Sequence, residues 1–140
     1  MYTSETNIRV RYGETDQMGY LYYGFYALYY EQGRTEAIRQ LGLTYKSLEE
    51  AGIMMPVVEM TAKYLRPAFY DDLVTVRTRV RVLDDPENKI RFHCELFNEK
   101  KKKLNESVVT LVFYDITLKK TVPMPSMLRE KLLPYFLKQI

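Results

Sequence analysis

Polar and apolar side chains alternate most cleanly between Leu73 and Leu83, where Val74, Val76, Thr78, Val80 and Val82 interleave with Thr75, Arg77, Arg79 and Arg81. A period of two predicts a β-strand with one apolar face and one basic face. Asp84-Asp85-Pro86-Glu87-Asn88 follows as turn chemistry, and then Ile90, Phe92, Cys94 and Leu96 alternate with Arg91, His93 and Glu95. Lys100 to Lys103 form a basic block read as a solvated hairpin turn, leading into Ser107–Ile116. That last segment leaves little polar face and is expected to be covered on both sides. Upstream, Pro56–Leu65 reads as a further strand punctuated by Pro67, and Asn7–Arg11 as a short one ended by Gly13.

Between the first strand and the rest the spacing changes. From about Tyr22, residues Tyr22, Tyr26, Tyr29, Gly33, Ala37 and Leu41 fall three or four apart, with Glu31, Gln32, Arg34, Glu36, Arg39 and Gln40 mostly elsewhere around the cylinder. This predicts an amphipathic helix of about five turns, stopped by Gly42. Thr44 is placed to cap a second short helix over Tyr45–Ala51, and Ser126 to cap a last one reaching about Leu137, interrupted at Pro134. A glycine inside a helix costs about 1 kcal/mol against alanine. Gly33 on the apolar stripe therefore implies close approach to another backbone.

The order strand, long helix, four strands joined by short turns favours an α+β domain: an antiparallel sheet with one helix laid across it. One helix covers only one face of such a sheet, so an edge or a second face stays open. An open edge is a liability unless another subunit covers it, and the expectation is a homo-oligomer, a dimer or tetramer with two-fold symmetry.

A length of 140 residues suits one domain spanning 1–140, and the 46% hydrophobic, 28% charged mix is that of a globular chain. No apolar run approaches the ~18 residues of a membrane span, and the first residues carry no export signal. A cytoplasmic protein is expected, with no membrane partner. One cysteine and one histidine make metal chemistry and a disulfide unexpected. A net charge of +3 falls short of the strongly basic balance of a nucleic-acid binder.

The densest chemistry lies in ETDQMGYLYYGFYALYYEQGR, Glu14 to Arg34, where a carboxylate, Asp16, precedes a run in which six of eleven residues, Tyr20 to Tyr30, are tyrosine. With its flanks, RVRYGETDQMGYLYYGFYALYYEQGRTEAIRQLGL resembles the opening of hotdog-fold thioesterases of the hydroxybenzoyl-CoA thioesterase type. Asp16, Met18, Gly19, Tyr26, Glu31 and Arg34 stand at that family's spacing. KYLRPAFYDDLVTV, Lys63 to Val76, resembles its later strand, proline and acidic turn, so the likeness covers most of residues 7–118.

The resemblance implies a hotdog fold, a long helix wrapped by an antiparallel sheet, and hydrolysis of acyl-CoA thioesters without a further cofactor. Such hydrolysis needs an attacking group or activated water, and donors for the oxyanion. Asp16 is the implied catalytic carboxylate, as nucleophile or as general base. It stands ahead of the helix, where unpaired N–H groups favour negative charge. The backbone N–H of Tyr23, with Gly24 beside it, is the implied oxyanion donor, and Gly19 the residue that lets the chain turn tightly. The family frequently has histidine where this chain has Tyr23.

Tyr20 and Tyr22 are candidates for the acyl-pocket wall. Tyr26 joins the substrate-contacting set, while Tyr26 and Tyr29 on the stripe also read as core or subunit contacts. Lys89 and Arg91 are the candidates for the phosphates of coenzyme A, with Arg66 and the lysine turn behind them. Arg77, Arg79 and Arg81 read equally as partners for acidic residues on a neighbouring strand, His93 as a surface residue, Cys94 as a small buried hydrophobe, and Glu14 as a lesser alternative to Asp16. Three rival functions stay open: cleavage of acyl groups from a carrier protein, a non-catalytic hotdog binding module, and nucleic-acid binding through the lysine turn.

Overall fold

The computed structural model describes residues 1–137. Its strands are β1 Tyr2–Arg9, β2 Ile53–Met54, β3 Val57–Tyr64, β4 Leu73–Val80, β5 Lys89–Phe97, β6 Lys103–Asp115 and β7 Lys120–Val122; its helices are α1 Tyr26–Gln40, α2 Tyr45–Glu50 and α3 Ser126–Leu132. All pairings are antiparallel. The order β1-β4-β5-β6 continues to β3 along the first half of β6, while β2 and β7 pair with its far end. Helix α1 lies on β1, β4 and β5. This is the α+β hotdog arrangement that the resemblance implies.

Strand β4 buries Val74, Val76, Thr78 and Val80, and β5 buries Ile90, Phe92, Cys94 and Leu96. The arginine row of β4 faces outward as read: Arg77 meets Glu5 at 2.9 Å and Arg79 meets Glu95 at 3.2 Å. His93 lies half-buried on the same face, its pKa lowered by burial and then by Arg81 and Arg91. Cys94 is buried beneath, its thiol pushed up to about 11 by burial. In β6 the expected double cover is not met, because Val108 and Val112 remain half-exposed on the outer face.

Other differences have local causes. Strand β1 starts at Tyr2 because Tyr2 and Ser4 point inward, their hydroxyls donating to the Ala37 carbonyl and Gln40; Arg11 lies beyond the strand, in the approach to a 3₁₀ turn over Tyr12–Glu14. Hydroxylated side chains hide that inward face from a hydropathy reading. Helix α1 begins at Tyr26 after a 3₁₀ turn, Tyr23–Phe25, so Tyr22 stands outside the buried stripe. Thr44 caps α2 by accepting from the Ser47 N–H at 3.0 Å. Pro125, not Ser126, is the residue before α3, and no side chain caps it; a 3₁₀ turn over Leu133–Tyr135 contains Pro134.

Two features of α1 fix its seat. A Cβ on Gly33 would stand 2.6 Å from Val76 Cγ1 and 2.7 Å from Thr78 Oγ1, so the glycine admits the side chains of β4 where the sequence implied another backbone. Arg34, expected on the polar side, is buried at 8% exposure beside Tyr45, whose hydroxyl is pushed up to about 12 by burial against the pull of that cation.

Strand β3 sits at the edge of the sheet with no strand beyond it among the described residues. Val58, Met60 and Tyr64 on it are exposed at 52%, 45% and 50%, which is an unusual loading of apolar area for an edge.

Candidate active site

The loop from Asp16 to Tyr22 is closed by backbone pairing. The Asp16 N–H donates to Tyr20 O at 2.8 Å, Gly19 N–H to Asp16 O at 3.0 Å, Leu21 N–H to Ala68 O at 2.8 Å and Tyr22 N–H to Glu14 O at 2.9 Å. Gly19 holds φ +75, in the left-handed region where a side chain is strained, so its place in the turn is a backbone requirement. One carboxylate oxygen of Asp16, Oδ1, accepts from the Met18 N–H at 2.9 Å and the Tyr20 N–H at 3.1 Å. Among the described residues Oδ2 accepts no hydrogen bond and no cation pairs with Asp16. The side chain is therefore oriented by one oxygen and presents the other.

Asp16 borders two concavities. One, of about 320 Å³, is lined by Tyr20, Leu21, Tyr23, Tyr26, Tyr64, Leu65, Arg66 and Pro67 as well. The other, of about 830 Å³, is lined by Tyr12, Thr15, Gln17, Gly19, Tyr22, Phe25 and Tyr70. Asp16 is common to both linings. Tyr23, in the lining of the smaller one, opens the 3₁₀ turn, and the N–H groups of Tyr23 and Gly24 meet no acceptor among the described residues, as expected of the first positions of a helical segment. Gly24 is needed for packing: a Cβ there would stand 2.8 Å from the Tyr22 ring, which lies over the start of the turn.

The aromatic run divides by role. Tyr29 and Tyr30 are core residues whose hydroxyls donate to Glu14 and Asn105. Tyr26 is buried with its ring against Tyr64, centroids 5.1 Å apart; its hydroxyl pKa is raised by burial, Tyr64 and Asp16 against a hydrogen bond from Ala68. Tyr20 packs edge-on to Phe69 at 5.1 Å, while Tyr22 and Tyr23 are exposed and lie together, centroids 4.7 Å apart.

Glu14, two residues before Asp16, does different work. It is buried at 7% exposure and accepts from the Tyr29 hydroxyl at 2.8 Å, the Arg11 N–H at 3.0 Å and the Arg11 guanidinium at 3.2 Å. Burial alone would raise its pKa, but these donors outweigh it and hold the carboxyl below its ordinary value. Glu14 thus ties the end of β1 to the middle of α1 and seats the loop that carries Asp16. A depressed folded pKa contributes stability above the unfolded pKa, and that contribution is lost as the pH falls through the folded one. Glu14→Gln is expected to lose about 1–2 kcal/mol at pH 7, with urea melts of the two proteins converging as the pH falls through the depressed folded-state pKa.

Lys89 and Arg91 are not brought to Asp16. Lys89 pairs with Glu87 at 2.7 Å, and Arg91 with Asp85 and, at 3.6 Å, Glu87. They occupy the start of β5, about 25 Å along the strand from its other end, and their charge is spent on the Asp84–Asn88 turn. Arg66 lies in the wall of the smaller concavity. Tyr64, Leu65, Pro67, Tyr12 and Tyr70 line the concavities without being singled out by the sequence as site residues, although KYLRPAFYDDLVTV holds four of them. No cluster of metal-binding side chains occurs among the described residues, and no helix there is long and apolar enough to cross a membrane.

The model of the thioesterase-like superfamily matches residues 10–132. The chain belongs to this superfamily. It is 30% identical over 108 residues to the acyl-CoA thioester hydrolase YbgC of Escherichia coli O157:H7, covering 77% of this chain and 79% of that one. YneP of Bacillus subtilis, a protein named provisionally as an acyl-CoA thioesterase, is 41% identical over 78 residues; the match spans little more than half, 56%, of either chain. Among solved structures, a DHNA-CoA thioesterase from Staphylococcus aureus superposes with a TM-score of 0.88 at 29% identity, covering 97% of this chain and 92% of that one. A gentisyl-coenzyme A thioesterase, BH1999, shares the fold with a TM-score of 0.81 at 23% identity, over 91% of this chain and 98% of that one.

Proposed function

We propose that this protein hydrolyses acyl-CoA thioesters, with Asp16 as the reacting carboxylate and the Tyr23 N–H, assisted by Gly24, as oxyanion donor. The observation that carries the reading is the half-tethered carboxylate: Asp16 is held through Oδ1 by Met18 and Tyr20, and it stands where two concavities meet. A thioester has two arms, acyl and thiol, and the two concavities offer one side of the carbonyl to each. The names of YbgC and of the Staphylococcus aureus neighbour support the same chemistry.

In the nucleophilic course, Oδ2 attacks the carbonyl carbon. The oxygen gains negative charge facing the unpaired N–H groups, and collapse breaks the C–S bond to release the thiolate and an aspartyl anhydride that water then opens. In the general-base course, Oδ2 takes a proton from water as the hydroxide adds to the same carbon, and the thiolate leaves with that proton. Either uses the donors in the transition state, where they act most strongly. Label found in the protein after a single turnover in ¹⁸O-labelled water identifies the nucleophilic course with water opening the anhydride at the aspartyl carbonyl; water adding at the acyl carbon labels only the released acid in either course.

The working form is read as a homo-oligomer, a dimer or tetramer, assembled at least in part through the free edge of β3. The wall residues Tyr64 to Pro67 begin with the last residue of that strand and continue directly from it, so a second copy along it would border the smaller concavity. A panel of short, long and aromatic acyl-CoAs tests the activity: thiol release that follows enzyme concentration for at least one class is expected. None from any class would leave a binding module as the reading. Faster turnover of the same acyl group on a carrier protein would move the substrate away from coenzyme A.

A further inference from the structure

His93 alternates along β5 with Phe92 and Cys94, which are buried on the α1 side, so it lies on the face of the sheet turned away from α1. In register it stands between Arg79 on β4 and Val108 on β6, with Thr61 next to Val108 on the edge strand β3. A concavity of about 420 Å³ opens over this row. Thr61, Lys63, Arg81, His93 and Lys103 line it, together with Glu95 and Glu106.

Charged groups surround the imidazole on every side. Arg77, Arg79 and, just past the end of β4, Arg81 stand on one flank; Arg91 and Glu95 precede and follow it on β5; Lys103 and Glu106 on β6 and Lys63 on β3 stand on the other flank, with Glu59 further along β3. Most of this charge is matched. Glu95 meets Arg79 at 3.2 Å and Lys103 at 2.7 Å, Lys103 meets Glu106 at 3.1 Å, Arg77 is taken by Glu5, and Arg91 turns away to Asp85 and Glu87. Lys63 and Arg81 are exposed and pair with no carboxylate among the described residues. Glu59 is unpaired there too, but it stands outside the lining. The concavity thus holds two unneutralised cations, one from each flank, with a half-buried imidazole between them.

We propose that this concavity is a second ligand site, on the opposite face of the sheet from α1, which binds a small phosphomonoester through Lys63, Arg81, His93 and Thr61. Arg81 offers the planar fork that suits phosphate, and Lys63 a point charge across from it. The Thr61 hydroxyl accepts from the Val108 N–H at 3.3 Å and keeps its own proton to donate. The volume lies in the range of small-molecule sites, about 300–1,000 Å³, and leaves room for an organic body beside the phosphate. His93 makes the site sensitive to pH. Burial, then Arg81 and Arg91, hold its pKa below the ordinary value, so without a ligand the imidazole is neutral at neutral pH. A dianion beside it favours the charged form, and by reciprocity the protonated protein binds the dianion more tightly by the same factor. Affinity therefore rises as the pH falls through the His93 pKa of the complex. The site is independent of thioester chemistry.

His93 is the one histidine of the chain, so the proton resonance of its imidazole reports this concavity alone. Titration with glycerol 3-phosphate is expected to move that resonance saturably and to raise the proton affinity of His93 about tenfold at saturation. The K63Q/R81Q variant, which changes two exposed side chains with no ion pair to lose, should show neither effect. The K119Q/K120Q variant removes two exposed cations at the turn before β7 and should show both. No saturable movement in the unmodified protein, movement that survives K63Q/R81Q, or movement lost equally in K119Q/K120Q overturns the site. Sulfate keeps its double charge at every pH used; an effect of sulfate equal to that of glycerol 3-phosphate would reduce the concavity to general attraction of anions and overturn it as a phosphomonoester site. Light scattering on K63Q/R81Q completes the test, because a changed subunit number would make this face a contact between copies instead.

Discussion

Asp16→Asn is expected to lower kcat for acyl-CoA hydrolysis by about a hundredfold or more, a loss of ~2.7 kcal/mol in transition-state stabilisation, while barely changing stability. The structure makes this substitution unusually clean. Oδ1 of Asp16 accepts both loop hydrogen bonds, from Met18 and Tyr20, and an asparagine keeps that acceptor. What it changes is the second position, where an amide NH₂ replaces the carboxylate oxygen that meets no donor among the described residues. An amide neither attacks a thioester nor takes a proton from water at neutral pH. Because Asp16 is exposed, the thermal midpoint should shift by no more than about 0.5 kcal/mol allows. Steady-state kinetics beside a thermal melt reads both. Activity retained within about threefold, against the ~100-fold expected from a lost reacting group, would remove Asp16 from the chemistry and leave it as a turn residue.

What was legible in advance was what depends on neighbours in sequence. Alternation in Leu73–Val80 and Ile90–Leu96 located β4 and β5, because side-chain direction in a strand is set by backbone period alone. Thr44 announced its helix for the same local reason. Illegible were features decided by partners far along the chain. Arg34 reads as a surface cation on any helical projection, yet it is buried beside Tyr45. Lys89 and Arg91 read as free charges until the fold of their own turn places Glu87 and Asp85 against them. Arg66 gains its position only because β3 pairs with β6, which delivers it to the lysine turn and the Asp16 loop together. Asp16 and Glu14 show the same contrast at close range. Two carboxylates two residues apart are equivalent in composition, and the 3₁₀ turn over Tyr12–Glu14 sends one into the core under Tyr29 and leaves the other facing the concavities.

Met60→Asp is expected to convert the protein to monomers of 16.7 kDa and to reduce thioester hydrolysis about a hundredfold or more, on the scale of ~2.7 kcal/mol, with secondary structure intact. Met60 is 45% exposed on the free edge of the sheet, so within one chain an aspartate there remains hydrated and changes stability by only about 0.5 kcal/mol. The cost appears only if two β3 strands meet. Two-fold symmetry then brings two copies of the new charge into one apolar contact, and desolvating an unpaired carboxylate costs several kcal/mol apiece. Alternation along β3 adds to the argument. The Leu65 N–H points to β6, donating to Leu104 O at 2.9 Å, so the N–H groups of Met60, Ala62 and Tyr64 turn toward the free edge, where only another strand can pair them in a row. Light scattering and hydrolysis assays on the same preparation give the two readouts. A variant that stays dimeric would show that copies meet elsewhere, and a monomer of full activity would show that the concavities beside Asp16 are complete within one chain.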